Sequence, residues 1–529
     1  MSKSQDKVPT PVNPIRLKEY LEGYDENKVE YLVNGFKHGF RSGFVGSVNN
    51  KIEQNLKSCF DKPHLIEEYI NDEITAGRFA GPFDSCPFAS FQASPIGLVE
   101  KSTPGKFRVI HHLSYPNGSS INDGIPASNR FVEYSSVMDA VSLVQHLGKG
   151  AFMAKCDVKK AFRILPIHPD EYNLFIIHYE GKFYYDKALE MGLSSACHIF
   201  EEFSTALEWI ARNKLGIELV HYLDDFFIAN QDEIECQKDL ERFSAMCEDI
   251  GVPLAPDKTF PPCQTMEYLG FEIDSVLQEV RLPLKKVDKC IDQIQLLLRK
   301  EKKRATLKEL QSLIGLLNFT CAVVLPGRPF LRRLINLTMG LKSAFHHASL
   351  NKGVKDDLRV WLRFLENYNG RCFFISKKVL NSTELHIFTD ACKFGYAGIF
   401  QNSYFYGHFP SWWQSQNITL LELYPIVLAV ETWFSEFANR RVIFHTDNKA
   451  LVSVINSQTS RETGVMILIR RLVLFCLEHN IVFSSVHIRG SSNSASDALS
   501  RFQVQVFYGL CPNADPYPVF IPTIPESLV

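Results

Sequence analysis

The sequence predicts an α+β protein built from several domains. Its 529 residues exceed what one ordinary hydrophobic core holds, so about two to four domains are expected. Hydrophobic residues make up 45% and charged residues 22%, which is typical of chains that fold into globular domains. From about residue 385 onward, β-rich segments alternate with helical ones, which predicts a separate α/β unit in that part of the chain.

The composition restricts the class of protein further. The N-terminus, MSKSQDKVPT, is polar and lacks the apolar core of a signal peptide, and no apolar stretch is long enough to span a bilayer. We therefore expect an intracellular protein without a membrane partner, nuclear or cytoplasmic. The 13 cysteines are scattered without zinc-ligand spacing, which favours reduced thiols. The formal net charge of −2 decides nothing about partners, because a protein that tracks phosphates needs only local basic surfaces.

The N-terminal part of the chain gives few strong signals. Residues 1–12 are polar with two prolines and predict a disordered tail. Residues 13–94 mix helical stretches with turns rich in glycine and proline. Residues 106–113 (KFRVIHHL) are rich in β-branched and aromatic residues and follow a Thr-Pro-Gly turn signal, so they predict one strand of a hairpin.

Two apolar segments in the middle of the chain are interrupted by aspartates. Residues 151–158 (AFMAKCDV) predict a buried strand that ends at an acid, Asp157. Residues 219–229 (LVHYLDDFFIA) predict two strands with Asp224 and Asp225 at the bend between them. Carboxylates surrounded by apolar side chains are costly unless a cation compensates them.

These acids suit nucleotidyl transfer, which needs two divalent ions held by a few carboxylates at strand ends. The structural alternative is that a lone aspartate at a strand end is a turn or cap residue. A lone Asp-Asp pair would also more often be structural. Two adjacent acids embedded in HYLDDFFIA favour the metal-binding interpretation.

The surrounding motifs resemble those of reverse transcriptases. Tyr222-Leu223-Asp224-Asp225 looks like the YxDD box, and CDVKKAF (156–162) resembles the first catalytic motif, an acid followed five residues later by an aromatic. The resemblance implies that Asp157, Asp224 and Asp225 are catalytic ligands of two Mg²⁺ or Mn²⁺ ions. It also implies that Phe162 is a steric gate that leaves no room for a ribose 2′-oxygen.

The same resemblance implies contacts to the nucleotide. Lys101, Lys106 and Arg108 resemble the fingers residues that hold the incoming triphosphate. The segment LEMGLSSA (189–196) resembles the one that lies against the nascent base pair. Retroviral enzymes have glutamine where this chain has Met191, followed here by Gly192.

Two further segments resemble parts of the polymerase that contact pyrophosphate and primer. Lys258 in APDKT resembles the lysine near the pyrophosphate. EYLGFEI (267–273) resembles the primer grip, with Tyr268, Leu269 and Gly270 as contacts. The helical pattern over residues 285–308 lies in a basic stretch, and its position after this hairpin favours a thumb helix over an ordinary solvated face. A second helix is predicted over residues 306–319.

The C-terminal α/β unit contains four acids of interest. Its predicted segments are strands at 384–390, 394–401, 441–447 and 482–488 and helices at 420–433 and 494–501. Asp390 and Asp447 lie in strands, Glu422 opens a helix and Asp497 lies in the last helix. Glu422 and Asp497 have ordinary alternatives as acids near helix N-termini. The set resembles the DEDD metal site of ribonucleases H, with His487 on the mobile His loop, and its acid order argues against an integrase.

Together these resemblances imply a right-hand reverse transcriptase of fingers, palm and thumb, followed by an RNase H-like domain. The expected boundaries are a tail at 1–12, fingers support at 13–94, fingers and palm at 95–280, thumb and connection at 281–380, the RNase H-like domain at 381–503 and an irregular tail at 504–529. Segments such as RVIHHLSYPNGSSINDGI (108–125) resemble sequences of the DIRS/Ngaro retrotransposons, which use a tyrosine recombinase. No recombinase segment is evident here, so that activity would be encoded separately.

The function implied is RNA-directed DNA synthesis with cleavage of the RNA in the hybrid. The partners implied are an RNA template, a DNA primer, an RNA–DNA hybrid and deoxynucleoside triphosphates. Two alternatives stay open: a catalytically silent or co-opted nucleic-acid-binding remnant, and a polymerase whose C-terminal unit only binds duplex.

Overall fold

The computed structural model describes residues 8–48, 50–101, 105–368, 372–373, 384–438, 440–479 and 481–521, without the side chains of residues 367, 368, 372 and 373. The chain divides into two compact units. The first comprises residues 1–269 and 273–278, and the second comprises residues 270–272 and 279–529. Within the described residues, no helix combines the length and apolarity needed to cross a membrane.

The first unit contains seven α-helices and ten strands among its described residues. The helices are α1 (Pro14–Tyr20), α2 (Glu26–His38), α3 (Lys57–Asp61), α4 (Pro63–Thr75), α5 (Val137–Leu147), α6 (Ala196–Leu215) and α7 (Glu233–Ile250). The strands are β1 (Phe79–Phe83), β2 (Ile96–Glu100), β3 (Phe107–His111), β4 (Phe152–Asp157), β5 (Ile176–Tyr179), β6 (Lys182–Asp186), β7 (Leu219–Tyr222), β8 (Asp225–Asn230), β9 (Phe260–Cys263) and β10 (Thr265–Tyr268). The next strand, β11 (Phe271–Asp274), has residues in both ranges.

A four-stranded sheet of order β7-β8-β4-β9 positions the predicted polymerase acids. Its three strand pairs, β7 with β8, β4 with β8 and β4 with β9, are antiparallel. The apolar runs of β4 and β8 are almost completely buried, in a core that α6 and α7 also supply. Helix α6 ends at Gly216, whose φ of 63° closes the helix in the left-handed conformation. The prediction of one strand at 151–158 and two strands within 219–229 is confirmed.

The predicted hairpin around residues 106–113 is also confirmed. Strand β3 pairs antiparallel with β2, and Arg108 lies opposite Val99. A second small sheet has the order β1-β6-β5.

The second unit contains the remaining elements. Its helices are α8 (Leu284–Leu298), α9 (Leu307–Thr320), α10 (Arg332–Thr338), α11 (Lys352–Tyr368), α12 (Ile418–Thr432), α13 (Phe434–Phe437), α14 (Lys449–Ser457), α15 (Thr463–Glu478), α16 (Ser494–Ser500) and α17 (Val504–Leu510). Its strands are β12 (Glu279–Arg281), β13 (Arg304–Thr306), β14 (His347–Ser349), β15 (Cys372–Phe373), β16 (Leu385–Ala391), β17 (Gly395–Phe400), β18 (Ser403–His408), β19 (Arg441–Thr446) and β20 (Val482–His487).

A five-stranded sheet of order β18-β17-β16-β19-β20 forms the centre of the C-terminal α/β region. Strands β16, β17 and β18 are antiparallel neighbours, whereas β19 runs parallel to both β16 and β20. Helix α12 is apolar around most of its circumference and buries ten of its residues in this core. The four predicted strands and two predicted helices are present, and β18, α14 and α15 are additional.

The predicted helix over residues 285–308 is wrong in its second half. Helix α8 ends at Leu298, and the sequence RKEKK at 299–303 has no apolar face to bury. A new helix, α9, starts after Thr306, whose side chain accepts from the Glu309 amide while the Glu309 carboxylate accepts from the Thr306 amide. The basic stretch is therefore divided between two helices and the segment between them.

Both predicted tails are more ordered than expected where they are described. Val8 and Val12 are buried, and the Asn13 amide donates to Ile250 O at 2.7 Å, because this segment packs against the first unit's core. At the other end, residues 504–510 form α17 and bury Phe507. Of the predicted segments, residues 1–7, 49, 102–104, 369–371, 374–383, 439, 480 and 522–529 lie outside the described residues, and they include part of the predicted Thr-Pro-Gly turn.

We expect Phe203→Ala to lower the free energy of unfolding by about 3–5 kcal/mol, because it leaves a cavity in the core beneath the acid-bearing sheet. Phe203 is fully buried on α6, and its ring centroid lies 4.8 Å from that of Phe36. Urea unfolding followed by circular dichroism measures the change. Ile234→Ala, on the exposed face of α7, is the control and should cost about 0.5 kcal/mol or less. Equal effects of the two changes would contradict this description of the core.

Candidate active sites

The three predicted polymerase acids meet at one end of the β7-β8-β4-β9 sheet. Asp157 ends β4 and lies directly opposite Asp225, the first residue of β8. The Val158 amide donates to Asp224 O at 3.0 Å, which extends the pairing past the end of the strand. Asp157 is buried, with 7% of its side chain exposed, whereas Asp224 and Asp225 are half-buried. Strand pairing therefore brings two sequence-distant acidic segments to a single edge.

A tight turn holds the Asp pair at this edge. Tyr222 pairs with Asp225, so only Leu223 and Asp224 connect the two strands. Leu223 has a φ of 51°, a left-handed conformation that is uncommon for a bulky residue without glycine's freedom. Such conformations persist where the surrounding structure enforces them, and they cluster at functional sites.

The acids repel one another electrostatically. Burial, reinforced by the charges of Asp157 and Asp224, raises the pKa of Asp225 to about 6. Burial and the charge of Asp157 also raise the pKa of Asp224. Lys258 offsets part of this repulsion, because its Nζ donates to both carboxylate oxygens of Asp157 at 2.9 Å each.

The donor chemistry of this edge fits a divalent cation. Three carboxylates lie at this edge, and the pKa values of two of them, Asp224 and Asp225, are raised. The third, Asp157, already has a cationic partner in the Lys258 ammonium. In the described part of the chain, no three His, Cys, Asp or Glu side chains are already spaced as metal ligands. In this arrangement, an ion at this edge would compete with Lys258 for Asp157.

The predicted nucleotide contacts lie on two segments of the first unit. Lys101 and Lys106 are exposed, and the Lys101 amide donates to Lys106 O at 2.7 Å, which closes the hairpin loop of β2 and β3. Arg108 Nη1 lies 3.9 Å from Met191 Sδ, so the hairpin touches the segment predicted to face the base pair. Met191 is 62% exposed, as a residue that contacts a ligand requires.

Gly192 lies beside the hairpin strand. A Cβ at this position would lie 2.8 Å from His111 O, so only glycine fits without a backbone shift. The carbonyl of Gly192 accepts from Asn122 Nδ2 at 2.9 Å, which fixes the loop from the other side.

Phe162, the predicted steric gate, lies in a short 3₁₀ turn at residues 161–164 that follows β4. It is 7% exposed, and its ring centroid lies 5.3 Å from that of Phe200 on α6. The packing fixes the ring, which is the property that a steric gate needs.

The segment predicted to grip the primer is linked to the acid-bearing sheet. Tyr268 is buried, its ring centroid lies 4.9 Å from that of Phe227, and its hydroxyl donates to Asp225 O at 3.4 Å. Leu269 and Gly270 both have positive φ values, 48° and 80°, which form the tight turn between β10 and β11.

Tyr222 has a neighbour that the sequence reasoning missed. The Tyr134 ring centroid lies 5.1 Å from that of Tyr222. Tyr134 comes from the loop before α5, and no sequence pattern connects it with the YLDD segment. Only the folded chain brings the two aromatic rings together.

Sequence reasoning also missed a buried ion network beside the site. Arg163 donates to Asp186 at 2.6 Å, to Glu73 at 2.7 Å and to Ala188 O at 3.1 Å. Burial raises the pKa of Glu73, but the adjacent Arg78 and Arg163 outweigh it and lower the pKa to about 2. Because Arg163 directly follows Phe162 and ties down the backbone before Met191, the network orients both segments. The sequence signal for this network was an arginine, Arg163, within the apolar run AFRIL (161–165), because a buried arginine requires acidic partners.

In the second unit, the four predicted acids gather around one end of the five-stranded sheet. Asp390 lies near the end of β16, and Asp447 directly follows β19, its parallel neighbour. The charges of Asp447 and Asp497 act on Asp390, and those of Asp390 and Asp447 act on Glu422. All four acids therefore belong to one electrostatic cluster.

Burial of these acids is only partly compensated by hydrogen bonds. Burial, with the charges of Asp497 and Asp447, raises the pKa of Asp390 to about 6, although Ser500 Oγ donates to it at 2.6 Å. Burial, with the charges of Asp390 and Asp447, raises the pKa of Glu422 to about 7. This donor set also fits divalent cations.

The alternative reading of Glu422 as a first-turn acid does not hold. Helix α12 starts at Ile418 after the N-cap Asn417, which places Glu422 beyond the first turn and 9% exposed. Asp497 does lie in the first turn of α16, and its carboxylate accepts from Arg501 Nε at 2.8 Å. Both a cap role and a ligand role fit Asp497.

His487 lies at the end of β20, paired in register with Thr446, and it is exposed. Asn493 is buried and donates to Thr389 O at 3.0 Å and to Asp390 Oδ1 at 3.5 Å. Asn493 therefore supports the position of Asp390, whereas His487 sits at the sheet end near the acids with its ring open to solvent.

Comparisons with known proteins agree with this geometry. Residues 99–273 match the family described as reverse transcriptase (RNA-dependent DNA polymerase). The chain is 21% identical over 300 residues to the Gag-Pro-Pol polyprotein of Mason-Pfizer monkey virus, which covers 55% of this chain and 15% of the relative. It is 23% identical over 209 residues to the retrovirus-related Pol polyprotein from transposon gypsy of Drosophila melanogaster. That alignment covers 39% of this chain and 19% of the relative. The chain thus spans less than a fifth of these relatives.

Solved structures support the fold. A foamy viral protease-reverse transcriptase in complex with RNA/DNA hybrid superposes with a TM-score of 0.51 at 16% identity, covering 90% of this chain and 63% of that one. A second foamy viral structure, designated dRH and in complex with double-stranded DNA, superposes with a TM-score of 0.51 at 16% identity. That alignment covers 92% of this chain and 84% of the other. At 16% identity these likenesses concern the fold alone, and the reverse transcriptase domain is identified by the family match over residues 99–273.

A charged histidine anchors the strand that leads into the Asp pair. His221 on β7 is buried, and its Nδ1 and Nε2 donate to Glu208 and Glu201 of α6, the latter at 3.2 Å. Arg212 Nε lies 3.0 Å from the other oxygen of Glu208. Burial lowers the pKa of His221, but the two carboxylates outweigh it and raise the pKa to about 9.

We expect His221→Gln to lower the free energy of unfolding by about 2 kcal/mol at pH 6, because it removes two charge-assisted hydrogen bonds. Since the folded-state pKa is raised, the wild-type advantage is complete below the ordinary pKa of 6.5 and is lost as pH rises through about 9. Urea unfolding between pH 5.5 and 10 measures this. His64→Gln, at an exposed position of α4, is the control, and a pH-independent difference for His221→Gln would contradict the charged pair.

Proposed function

We propose that this protein is an RNA-directed DNA polymerase with RNase H activity, which copies retroelement RNA into DNA and hydrolyses the RNA of the resulting hybrid. The observation that carries the polymerase half is the register of the acid-bearing sheet. It sets Asp157 opposite Asp225 and puts Asp224 in the two-residue turn beside them. This arrangement brings carboxylates from two segments to one edge of the sheet, and nucleotidyl transfer requires such a set to hold its metal ions.

In this proposal Asp157, Asp224 and Asp225 hold two divalent cations, Mg²⁺ or Mn²⁺. Bound there, the cations would lower the pKa of the primer 3′-hydroxyl and stabilise the charge of the leaving pyrophosphate. The side chains of the protein position the reactants. Arg108 and Lys101 attract the triphosphate, and Lys258, held at Asp157, brings a positive charge to the leaving group.

Phe162 selects the sugar of the incoming nucleotide. Its ring is fixed by Phe200, so it cannot swing away from a 2′-oxygen. The Arg163 network prevents the segment on either side from shifting.

The second activity rests on the four acids of the five-stranded sheet. Asp390, Glu422, Asp447 and Asp497 would hold two divalent cations that activate water for phosphodiester hydrolysis. The raised pKa values of Asp390 and Glu422 support this role, because a cation relieves the repulsion that raises them. His487, exposed at the same end of the sheet, would move protons or assist product release.

The partners proposed are an RNA template, a DNA primer, the RNA–DNA hybrid and deoxynucleoside triphosphates. We assign the element to the DIRS/Ngaro group on the motif wording at 108–125 and neighbouring segments, with a separately encoded tyrosine recombinase. Detection of a recombinase reading frame beside this gene in its element tests the assignment.

We expect Asp224→Asn/Asp225→Asn to reduce DNA synthesis by about 1,000-fold or more while RNA cleavage persists, because the change removes charge from one site only. Primer extension on a labelled RNA template with Mg²⁺ measures both activities in the same tube. The matched control is Asp232→Asn, which changes an exposed N-cap acid of α7.

The reciprocal change, Asp390→Asn/Asp447→Asn, should abolish RNA cleavage and leave synthesis intact. If a folded wild-type protein binds hybrid but neither extends nor cleaves, the chain is a silent remnant. If cleavage is unaffected by the second change, the C-terminal unit only binds duplex.

We expect Phe162→Val to raise ribonucleotide incorporation relative to deoxyribonucleotide incorporation by at least about tenfold, because it opens space under C2′ of the sugar. Ratios of kcat/KM for a matched rNTP and dNTP measure this. Phe200→Leu keeps the gate and loosens its support, so it should give a smaller change in the same direction. An unchanged ratio for Phe162→Val would remove Phe162 from the nucleotide site.

A further inference from the structure

A basic cavity lies beside the polymerase acids in the first unit. Its volume is about 580 Å³, within the range of about 300–1,000 Å³ that small-molecule sites occupy. Its walls come from the N-terminal segment 8–11, from residues 76–78 at the end of α4, and from the residues just after β4. One of its lining residues, Lys159, follows Asp157 by two positions in the sequence.

All the charged side chains that line this cavity are cationic. Five basic side chains line it and no acidic one does: Arg78, Lys159, Lys160, Arg163 and Lys187. Three carboxylates, Glu73, Asp186 and Glu190, contact the two arginines from behind. The cavity therefore keeps an excess of positive charge directed into the open space.

The two arginines form a fixed wall. Arg78 and Arg163 both donate to Glu73, at 2.6 and 2.7 Å, and the Arg163 side chain is 14% exposed. Arg163 Nε is buried without a hydrogen-bond partner in the described structure. One donor at this wall is therefore unused.

Two lysines line the cavity from the segment just after β4. Lys159 and Lys160 are exposed, and Lys159 takes part in no ion pair among the described residues. The Lys159 amide donates to Pro253 O at 2.8 Å, which holds this wall against the strand end. Lys160 has a φ of 54°, a left-handed conformation, and its Nζ lies 3.9 Å from Glu73.

The N-terminal segment closes the cavity. Thr10 Oγ1 donates to Ile164 O at 2.6 Å, and the Lys187 amide donates to Arg78 O at 2.8 Å. The walls are thus tied together by backbone-directed hydrogen bonds rather than by flexible side chains alone.

We propose that this cavity is a second phosphate site, separate from Lys258, which binds inorganic pyrophosphate after it leaves the acids. Compact polyanions suit a site with clustered lysines as point charges and arginines as forked donors. The choice of pyrophosphate rests on the proposed nucleotidyl transfer, because Asp157 precedes Lys159 of the cavity wall by two residues in the sequence. The triphosphate tail of an incoming nucleotide has the same chemistry, and the experiment separates the two sources.

The test variant is the full chain with Lys159→Gln/Lys160→Gln. The matched control is Lys182→Gln/Lys238→Gln, which changes two exposed lysines away from the cavity. Isothermal titration calorimetry with sodium pyrophosphate, without nucleic acid and with EDTA, measures binding directly. We expect the first variant to bind about tenfold more weakly and the control to bind as wild type. In steady-state extension, the Ki of pyrophosphate should rise by a similar factor, with unchanged KM for deoxynucleotides and unchanged Kd for hybrid.

Three results would overturn the proposal: equal pyrophosphate binding by wild type and variant, a parallel rise in nucleotide KM, or a rise in hybrid Kd. The second would place these lysines in the nucleotide site, and the third would assign them to nucleic-acid phosphates. Weakened pyrophosphate binding in a protein that cannot synthesise DNA would refute the proposed function and leave the phosphate site standing.

Discussion

Repulsion between buried carboxylates is the constraint on which both candidate sites depend. Each site gathers acids from separate elements at the end of a sheet, where burial and mutual repulsion raise the pKa values of Asp225, Asp390 and Glu422. Such an arrangement survives only if the rest of the fold holds it in place. The surrounding elements can be understood as that support. They include the doubly hydrogen-bonded His221, the Lys258 ammonium at Asp157, and Ser500 with Asn493 at Asp390.

The two sites solve this problem differently. In the first unit, an antiparallel pair and a two-residue turn bring Asp157 and Asp225 into register, and a lysine offsets the charge. In the second unit, parallel strands and two helices deliver one acid each, and neutral hydroxyl and amide donors supply the support. In the first site the counter-charge, Lys258, therefore lies at the strand acid Asp157, whereas in the second it lies at the helix acid Asp497, which accepts from Arg501, and the strand acid Asp390 has neutral donors.

Strong local patterns allowed the sequence to predict much of the fold and the acidic residues of both candidate sites. Apolar runs broken by aspartate gave β4, β7 and β8, and the acids around β16, α12 and β19 were found on their elements. The supporting residues were not predictable in the same way. Arg163, Glu73 and Asp186 come from three distant segments, and each alone is an ordinary charged residue. The start of α9 near Thr306 was predicted, but the basic run at 299–303 was wrongly placed inside the preceding helix because lysine and arginine are good helix formers, although the run has no apolar face to bury.

The packed N-terminal segment has a practical consequence for anyone who shortens this chain. Val8 and Val12 are buried, and Thr10 bonds to the backbone of Ile164, next to Arg163, which donates to the backbone before Met191. A truncation that starts at Asn13 would look harmless on a sequence plot of polar, proline-containing residues. It would expose apolar surface and remove the hydrogen bond to the segment after β4, so trimming for crystallisation or fusion should stop before residue 8.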